Sequence, residues 1–126
     1  MIEKVVSVGL PVGENWNIYK NRIAPDKLSG DEKRLSIVTG VHGDELEGQF
    51  VCYELNRLLG EKKEHLKGIV DIYPALNPLG VDSVTRGVPG FDIDMNRIFP
   101  GDEEGAVTEH IASRIMADIE GSDFCV

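Results

Sequence analysis

The sequence has 126 residues, of which 41% are hydrophobic and 28% charged, a composition typical of one soluble globular domain. Its 22 acidic residues outnumber the 13 basic ones, and the net charge of −9 disfavours nucleic acid and anionic membrane surfaces as partners. No apolar run approaches the ~18 residues of a membrane-spanning helix, so a membrane protein is not expected either.

The cysteines and the N-terminus indicate the compartment. Cys52 and Cys125 are far apart, and each lies in an apolar run, so we expect buried free thiols in a reducing environment. Residues 1–4 do not begin a basic and then apolar leader, so no signal peptide is expected. The sequence therefore predicts a cytoplasmic protein.

The first third of the chain predicts strands. A valine-rich alternation over residues 4–12 predicts a first strand, and residues 17–19 predict a second, shorter one. Residues 24–34 contain proline, glycine and several charges, which predicts a connecting loop. The uncharged apolar run at 35–39 predicts a buried strand.

An amphipathic helix is predicted next. Asp44 is expected to cap it, with Glu47 completing a capping-box-like pair, and Gly60 is expected to end it. The apolar stripe expected to face the core consists of Leu46, Phe50, Val51, Leu55, Leu58 and Leu59. Residues 69–73 predict another buried strand, so strand, helix and strand form a βαβ unit with parallel strands.

The second half begins with a long irregular segment. Residues 74–106 lack periodicity, and loops of such length are usually functional or disordered. An apolar residue at every fourth position over 107–119 predicts a final helix, which ends at Gly121. Residues 124–126 predict the start of one more strand.

The most specific local signal for chemistry is the segment His42-Gly43-Asp44-Glu45, at the carboxyl end of a predicted buried strand. Ligands of open α/β sheets bind at such strand ends. An imidazole and a carboxylate three residues apart can converge there on a zinc ion. The same pattern also arises by chance, and Asp44 and Glu45 can equally serve the helix dipole alone.

A second signal lies in the irregular segment, which contains Arg86 and the run Asp94-Met95-Asn96-Arg97. Arginine guanidinium groups match carboxylates in a bidentate geometry, so this loop suits a small dianionic substrate. The alternative is a surface loop held by Arg–Asp pairs, which would contribute little to stability.

These signals occur together and in order, and the sequence resembles the N-terminal part of the succinylglutamate desuccinylase and aspartoacylase family, relatives of the zinc carboxypeptidases. The resemblance runs from residue 35 to the C-terminus. It rests on the segments Gly40–Glu45, Asn77-Pro78 with Gly80, Arg86, Asp94–Gly101 and Thr108-Glu109.

The resemblance implies an α/β fold with a mixed, largely parallel sheet flanked by helices, zinc carboxypeptidase-like and truncated before the sheet is complete. Residues 1–126 would form the N-terminal portion of one catalytic domain. The resemblance implies that His42 and Glu45 are the first two zinc ligands. It implies that Arg86 is a substrate-binding and catalytic residue. Asn96 and Arg97 would grip the substrate carboxylate, and Arg97 would also polarise the scissile carbonyl.

The activity implied is zinc-dependent hydrolysis of the amide bond of a small anionic N-acyl amino acid. In the family, the third zinc ligand and the general base follow the next strand, so this chain is expected to be incomplete and inactive alone. His65, His110 and Cys125 are the alternative third ligands that the sequence offers, Cys125 or a histidine also from a second subunit.

Two other functions stay open on the sequence. The chain could belong to a zinc carboxypeptidase acting on peptides, or it could be a non-catalytic carboxylate-binding fragment. An apolar terminal strand without a following partner also favours association through the sheet edge, so a homo-oligomer is an expected partner state.

Overall fold

The computed structural model describes residues 1–11 and 13–126 in full, and the backbone alone at residue 12. Its strands are β1 (Ile2–Gly9), β2 (Asn15–Ile23), β3 (Arg34–Val38), β4 (Ile69–Tyr73) and β5 (Phe124–Cys125). Its α-helices are α1 (Glu47–Glu61), α2 (Pro78–Ser83) and α3 (Val107–Ile119). Short 3-10 turns lie at Pro11–Gly13, Lys63–His65 and Met95–Arg97. None of the helices in the described residues is long and apolar enough to cross a membrane.

The strands form one mixed sheet in the order β1-β2-β4-β3-β5. The β1–β2 hairpin and the β2–β4 pair are antiparallel, whereas β3 pairs in parallel with both β4 and β5. The predicted βαβ unit, the final helix and the terminal strand are confirmed. The second strand is much longer than residues 17–19, because Asn15–Ile23 pairs with β1 on one side and β4 on the other.

One face of the sheet carries the main core. Helix α3 lies on this face, and its residues Ile111, Ala112 and Ile115 are fully buried. The irregular segment between β4 and α3 closes the rest of the face. The buried cluster consists of Val6, Trp16, Ile18, Tyr73, Leu76, Val88, Met95, Ile111, Ala112 and Ile115.

Helix α1 covers the opposite face, and it uses a different side from the predicted one. Cys52 packs with Ile23 and Ile72 at the centre of this smaller core, and Leu55 and Leu59 lie at its margin. Much of the predicted stripe is wrong: Phe50 is 68% exposed, and Leu46, Val51 and Leu58 are exposed too. The helix has apolar residues around most of its circumference, so periodicity alone does not select the side that meets the sheet.

Two further expectations are wrong. Asp44 is exposed and does not cap α1, because the helix begins at Glu47, and Leu46 occupies the N-cap position without a side-chain cap. Cys125 is a free but exposed thiol, since β5 lies at the sheet edge; Cys52 is free and buried as expected.

The α3 face of the sheet also holds a buried charged network. Asp71 on β4 is fully buried and accepts two hydrogen bonds from Arg22, at 2.8 and 2.7 Å, and one from Arg34 at 2.7 Å. Burial opposes ionisation of Asp71, but the two guanidinium groups outweigh it and hold the pKa of the carboxyl below its ordinary value.

Asp118 of α3 joins the network from above the sheet. Its carboxylate accepts hydrogen bonds from the buried Lys20, at 2.8 and 2.7 Å, and from the Tyr73 hydroxyl at 2.6 Å. Burial opposes ionisation of Asp118, yet Lys20 and Tyr73 outweigh it and lower its pKa. The network therefore ties α3 to two neighbouring strands.

Candidate active site

The turn that follows β3, residues 40–46, is held close to the rest of the fold by two glycines; we call it the His42 turn. Gly40 has a φ of +66°, and a Cβ there would lie 2.9 Å from the Cα of Ala75. A Cβ on Gly43 would overlap the backbone of Gly80 in α2. A turn with side chains at these two positions would be pushed away from β4 and α2.

The imidazole of His42 lies between two carboxylates. Its Nδ1 is 3.1 Å from Oε1 of Glu45, and its Nε2 is 3.0 Å from Oδ1 of Asp94. When Nε2 carries the proton and donates to Asp94, the lone pair of Nδ1 faces the Glu45 oxygen. Two electron-pair donors in tetrahedral zinc coordination lie roughly 3.3 Å apart, so His42 and Glu45 fit a shared metal ion.

Asp94 belongs to the sequence motif without an expected role there, and in the structure its carboxylate faces His42. It accepts a hydrogen bond of 2.9 Å from the backbone N–H of Asn96, which fixes the carboxylate that faces His42. Partial burial opposes its ionisation, but the Asn96 and His42 contacts outweigh this and lower the pKa of Asp94. Metal-binding histidines are commonly oriented by such a carboxylate on the second ring nitrogen.

Among the described residues, the structure brings no third ligand to the His42–Glu45 pair. Within residues 1–11 and 13–126, no three side chains of His, Cys, Asp or Glu form a group that could hold a metal ion. Asp94 faces the other nitrogen of the imidazole. His110 instead contacts the carbonyl of Glu103, and His65 is exposed in a 3-10 turn.

Arg86 reaches the same place from the irregular segment. Its Nη1 lies 3.4 Å from Oε1 of Glu45, and its Nη2 lies 3.5 Å from Oδ2 of Asp94. The side chain is 55% exposed, so the guanidinium faces solvent as well as the two carboxylates. The structure thus brings three predicted site residues, His42, Glu45 and Arg86, together; their roles stay predictions.

Asn96 and Arg97 lie on the short 3-10 turn that follows Asp94. The turn is anchored by Met95, which is fully buried in the main core, and by the Asp94 carboxylate as its cap. Asn96 and Arg97 are exposed, and Arg97 has no ion pair within residues 1–11 and 13–126. Both therefore lie next to the residue that orients His42, with their side chains available to a ligand.

The part of the chain that carries the candidate site also matches known proteins. Residues 31–126 match the sequence profile of the succinylglutamate desuccinylase/aspartoacylase catalytic domain. The chain is 36% identical over 83 residues to an N-alpha-acetyl-L-2,4-diaminobutyric acid deacetylase of Halomonas elongata, a match that covers 66% of this chain and 24% of the deacetylase.

Two solved structures place the fold. A succinylglutamate desuccinylase/aspartoacylase from Rhodobacter sphaeroides superposes with a TM-score of 0.81 at 28% identity, over 98% of this chain and 38% of that one. A metallo-carboxypeptidase from Burkholderia cenocepacia gives a TM-score of 0.69 at 18% identity, over 99% and 35%, and shows the fold alone. The expected carboxypeptidase-like α/β fold is confirmed, and the chain spans well under half the length of these relatives.

Proposed function

Because this chain belongs to the succinylglutamate desuccinylase/aspartoacylase family, we propose that it is the N-terminal part of a zinc-dependent hydrolase acting on a small N-acyl amino acid. The matched family and the Halomonas elongata relative carry the names of deacylating hydrolases: desuccinylase, aspartoacylase and deacetylase. The acyl amide of an amino acid is therefore the bond that this site would be built to cleave.

One observation carries the proposal: His42 and Glu45 converge at 3.1 Å while Asp94 holds the far side of the imidazole. A donor pair oriented in this way suits zinc. When bound there, zinc supplies a Lewis acid that polarises the scissile carbonyl. A proton on Nε2 that is donated to Asp94 would leave the lone pair of Nδ1 available to a metal ion.

The arginines account for binding of an anionic substrate. Arg86 is 55% exposed beside Glu45 and Asp94, and Arg97 is exposed on the next turn, so both guanidinium groups can reach a substrate carboxylate. Asn96 adds amide donors beside Arg97. Together these side chains can hold the substrate carboxylate and so fix the amide relative to His42 and Glu45.

We propose further that the chain by itself binds metal and carboxylate weakly and does not hydrolyse a substrate. His42 and Glu45 give a metal two protein ligands, whereas a catalytic zinc site uses three. The remaining ligand and the general base would come from further polypeptide.

Zinc binding tests the proposal. Equilibrium dialysis followed by elemental analysis should find zinc above background in the wild-type chain and a loss of that zinc in His42→Ala. His65→Ala removes an exposed histidine elsewhere and should leave zinc unchanged. Equal zinc in wild type and His42→Ala would overturn the assignment.

A substrate panel separates the alternatives. Added N-acetyl amino acids and dipeptides should shift the NMR signals of the irregular segment, with the N-acetyl amino acids binding more tightly. Tighter binding of the dipeptides would instead support a carboxypeptidase. Hydrolysis by the chain alone would overturn its proposed inactivity.

We also propose a cytoplasmic location and self-association. Both cysteines are free, as is usual for proteins of a reducing compartment. Strand β5 is an edge strand whose Phe124 is 65% exposed, so a second copy could pair there. Light scattering that shows a monomer across the accessible concentration range would rule out the homo-oligomer.

A further inference from the structure

Asn77 is fully buried and connects three separate segments. Its backbone N–H donates a hydrogen bond of 2.8 Å to the carbonyl of Gly40. Its side-chain Oδ1 accepts a bond of 2.9 Å from the N–H of Gly80, and its Nδ2 donates a bond of 3.1 Å to the carbonyl of Gly87. Both polar atoms of the side chain are therefore hydrogen-bonded.

Two of these segments carry residues of the candidate site. Gly40 begins the His42 turn, and Gly87 directly follows Arg86. The residue before Arg86 is fixed as well, because the N–H of Gly43 donates a bond of 2.9 Å to the carbonyl of Thr85. Arg86 is therefore held on both sides, once by the His42 turn itself and once by the side chain of Asn77.

The backbone just ahead of Arg86 adopts a conformation that needs such support. Val84 has a φ of +52° and a ψ of +50°, the left-handed region that a β-branched residue rarely enters. This conformation ends α2 and reverses the chain toward the His42 turn. Strained residues of this kind persist only where the surrounding contacts hold them.

We propose that Asn77 is a positioning residue that holds Arg86 against Glu45 and Asp94; its part in substrate binding rests on the function proposed above. The bond to Gly80 is an ordinary helix cap. The bond from Nδ2 to Gly87 is not needed for capping, and it is the side-chain contact by which Asn77 holds the segment that follows Arg86. A substitution that keeps the cap and removes this donor separates the two roles.

Asn77→Asp and Asn77→Ser are suitable variants, because both residues cap helices well and neither can donate to Gly87 as the amide does. Ser36→Ala is the matched control. Ser36 is also fully buried and shares a side-chain hydrogen bond of 2.7 Å with Ser122, away from Arg86.

The first readout is the Nε–Hε NMR signal of Arg86 in the chain without ligand, assigned by its loss in Arg86→Lys. In both Asn77 variants the signal should move toward that of a solvated arginine, and rotation of the guanidinium should accelerate. Ser36→Ala should change neither. An unchanged Arg86 signal in a folded Asn77 variant overturns the proposal, and so does failure of both variants to fold.

The second readout is the affinity for an N-acetyl amino acid in a double-mutant cycle. Asn77→Ser should weaken binding about tenfold in the wild-type background and not further in Arg86→Ala. Equal weakening in both backgrounds assigns Asn77 a purely structural role and overturns the proposal. If the wild type binds no N-acetyl amino acid while the Arg86 signal still depends on Asn77, the proposed function fails and the positioning role stands.

Discussion

Gly43 and Gly80 are in direct backbone contact, with no space for a Cβ on Gly43. This contact joins the turn that carries His42 and Glu45 to the helix that precedes Arg86. The two halves of the candidate site, far apart in the sequence, are therefore placed relative to one another by a steric constraint on one residue.

Gly43→Ala should consequently destabilise the protein by about 3 kcal/mol, because the new methyl group meets backbone rather than a movable side chain. Urea denaturation measures the loss. Gly60→Ala is the control, since Gly60 lies in α1 with open space around its Cβ position. This variant should raise the free energy of unfolding by about 0.5–1 kcal/mol. Equal stability of Gly43→Ala and wild type would contradict the close contact.

Asp94→Asn should lower zinc affinity by about 10–100-fold, because the carboxylate that orients His42 is lost. Competition with a chromophoric chelator measures the affinity. Asp92→Asn serves as the control: Asp92 has a φ of +54°, which asparagine adopts readily, and its side chain is not in contact with His42. A larger effect at position 92 would mean that Asp94 does not orient the ligand.

Asp71→Asn should destabilise the fold by about 3–5 kcal/mol, since it leaves the buried Lys20 and two arginines without their central anion. Thermal and urea unfolding measure this change in the free energy of unfolding. Asp26→Asn removes an acid that is 79% exposed and should change stability by about 1 kcal/mol at most. Similar effects at the two positions would show that the network contributes nothing beyond surface charge.

The protein should lose stability in acid, and the pKa values of the carboxylates in the buried charged network should determine the pH range of this loss. The pKa values of Asp71 and Asp118 are lower in the folded protein than their ordinary values. Their contribution is therefore complete above the ordinary carboxyl pKa, about 3.9, and is lost as the pH falls through the lowered values. Urea midpoints between pH 6 and pH 2 should show this decline, and Asp118→Asn should make it shallower. An unchanged slope in Asp118→Asn would exclude Asp118 as a source.

Phe50→Ser should change the free energy of unfolding by no more than about 0.5 kcal/mol, because the ring lies in solvent. Cys52→Ser, two residues further along, places a hydroxyl in the apolar core between Ile23 and Ile72 and should cost about 1–3 kcal/mol. Urea denaturation of the two variants tests which side of α1 meets the sheet. The reverse order would restore the side predicted by periodicity.

The elements that follow from local pattern were predictable. Strand β4, helix α3 and the parallel βαβ unit rest on short apolar runs and one clear four-residue recurrence, and they were confirmed. The buried side of α1 was not predictable, because apolar residues surround that helix and only its contact with Ile23 and Ile72 selects a side. The expected cap at Asp44 was also wrong, because the His42 turn continues to residue 46 and α1 begins only at Glu47.

The candidate site was predictable as a set of residues but not as a geometry. The motifs located His42, Glu45 and Arg86, which the structure brings within 3.5 Å of one another or of Asp94. The role of Asp94 was not predicted, because it depends on a contact with His42 across 52 positions of sequence. The pairing of Lys20 with Asp118 spans 98 positions and was missed likewise.

The buried network has a consequence for how the sheet assembles. Arg22 and Asp71 are directly opposite each other where β2 pairs with β4, so their ion pair exists only in this alignment. A slip of one residue would turn Lys20 and Arg22 to the other face of the sheet, toward the apolar Cys52 and Ile72 and away from Asp71. A sheet in the slipped register would bury these cations without their anionic partner, so the charged cluster disfavours that register energetically.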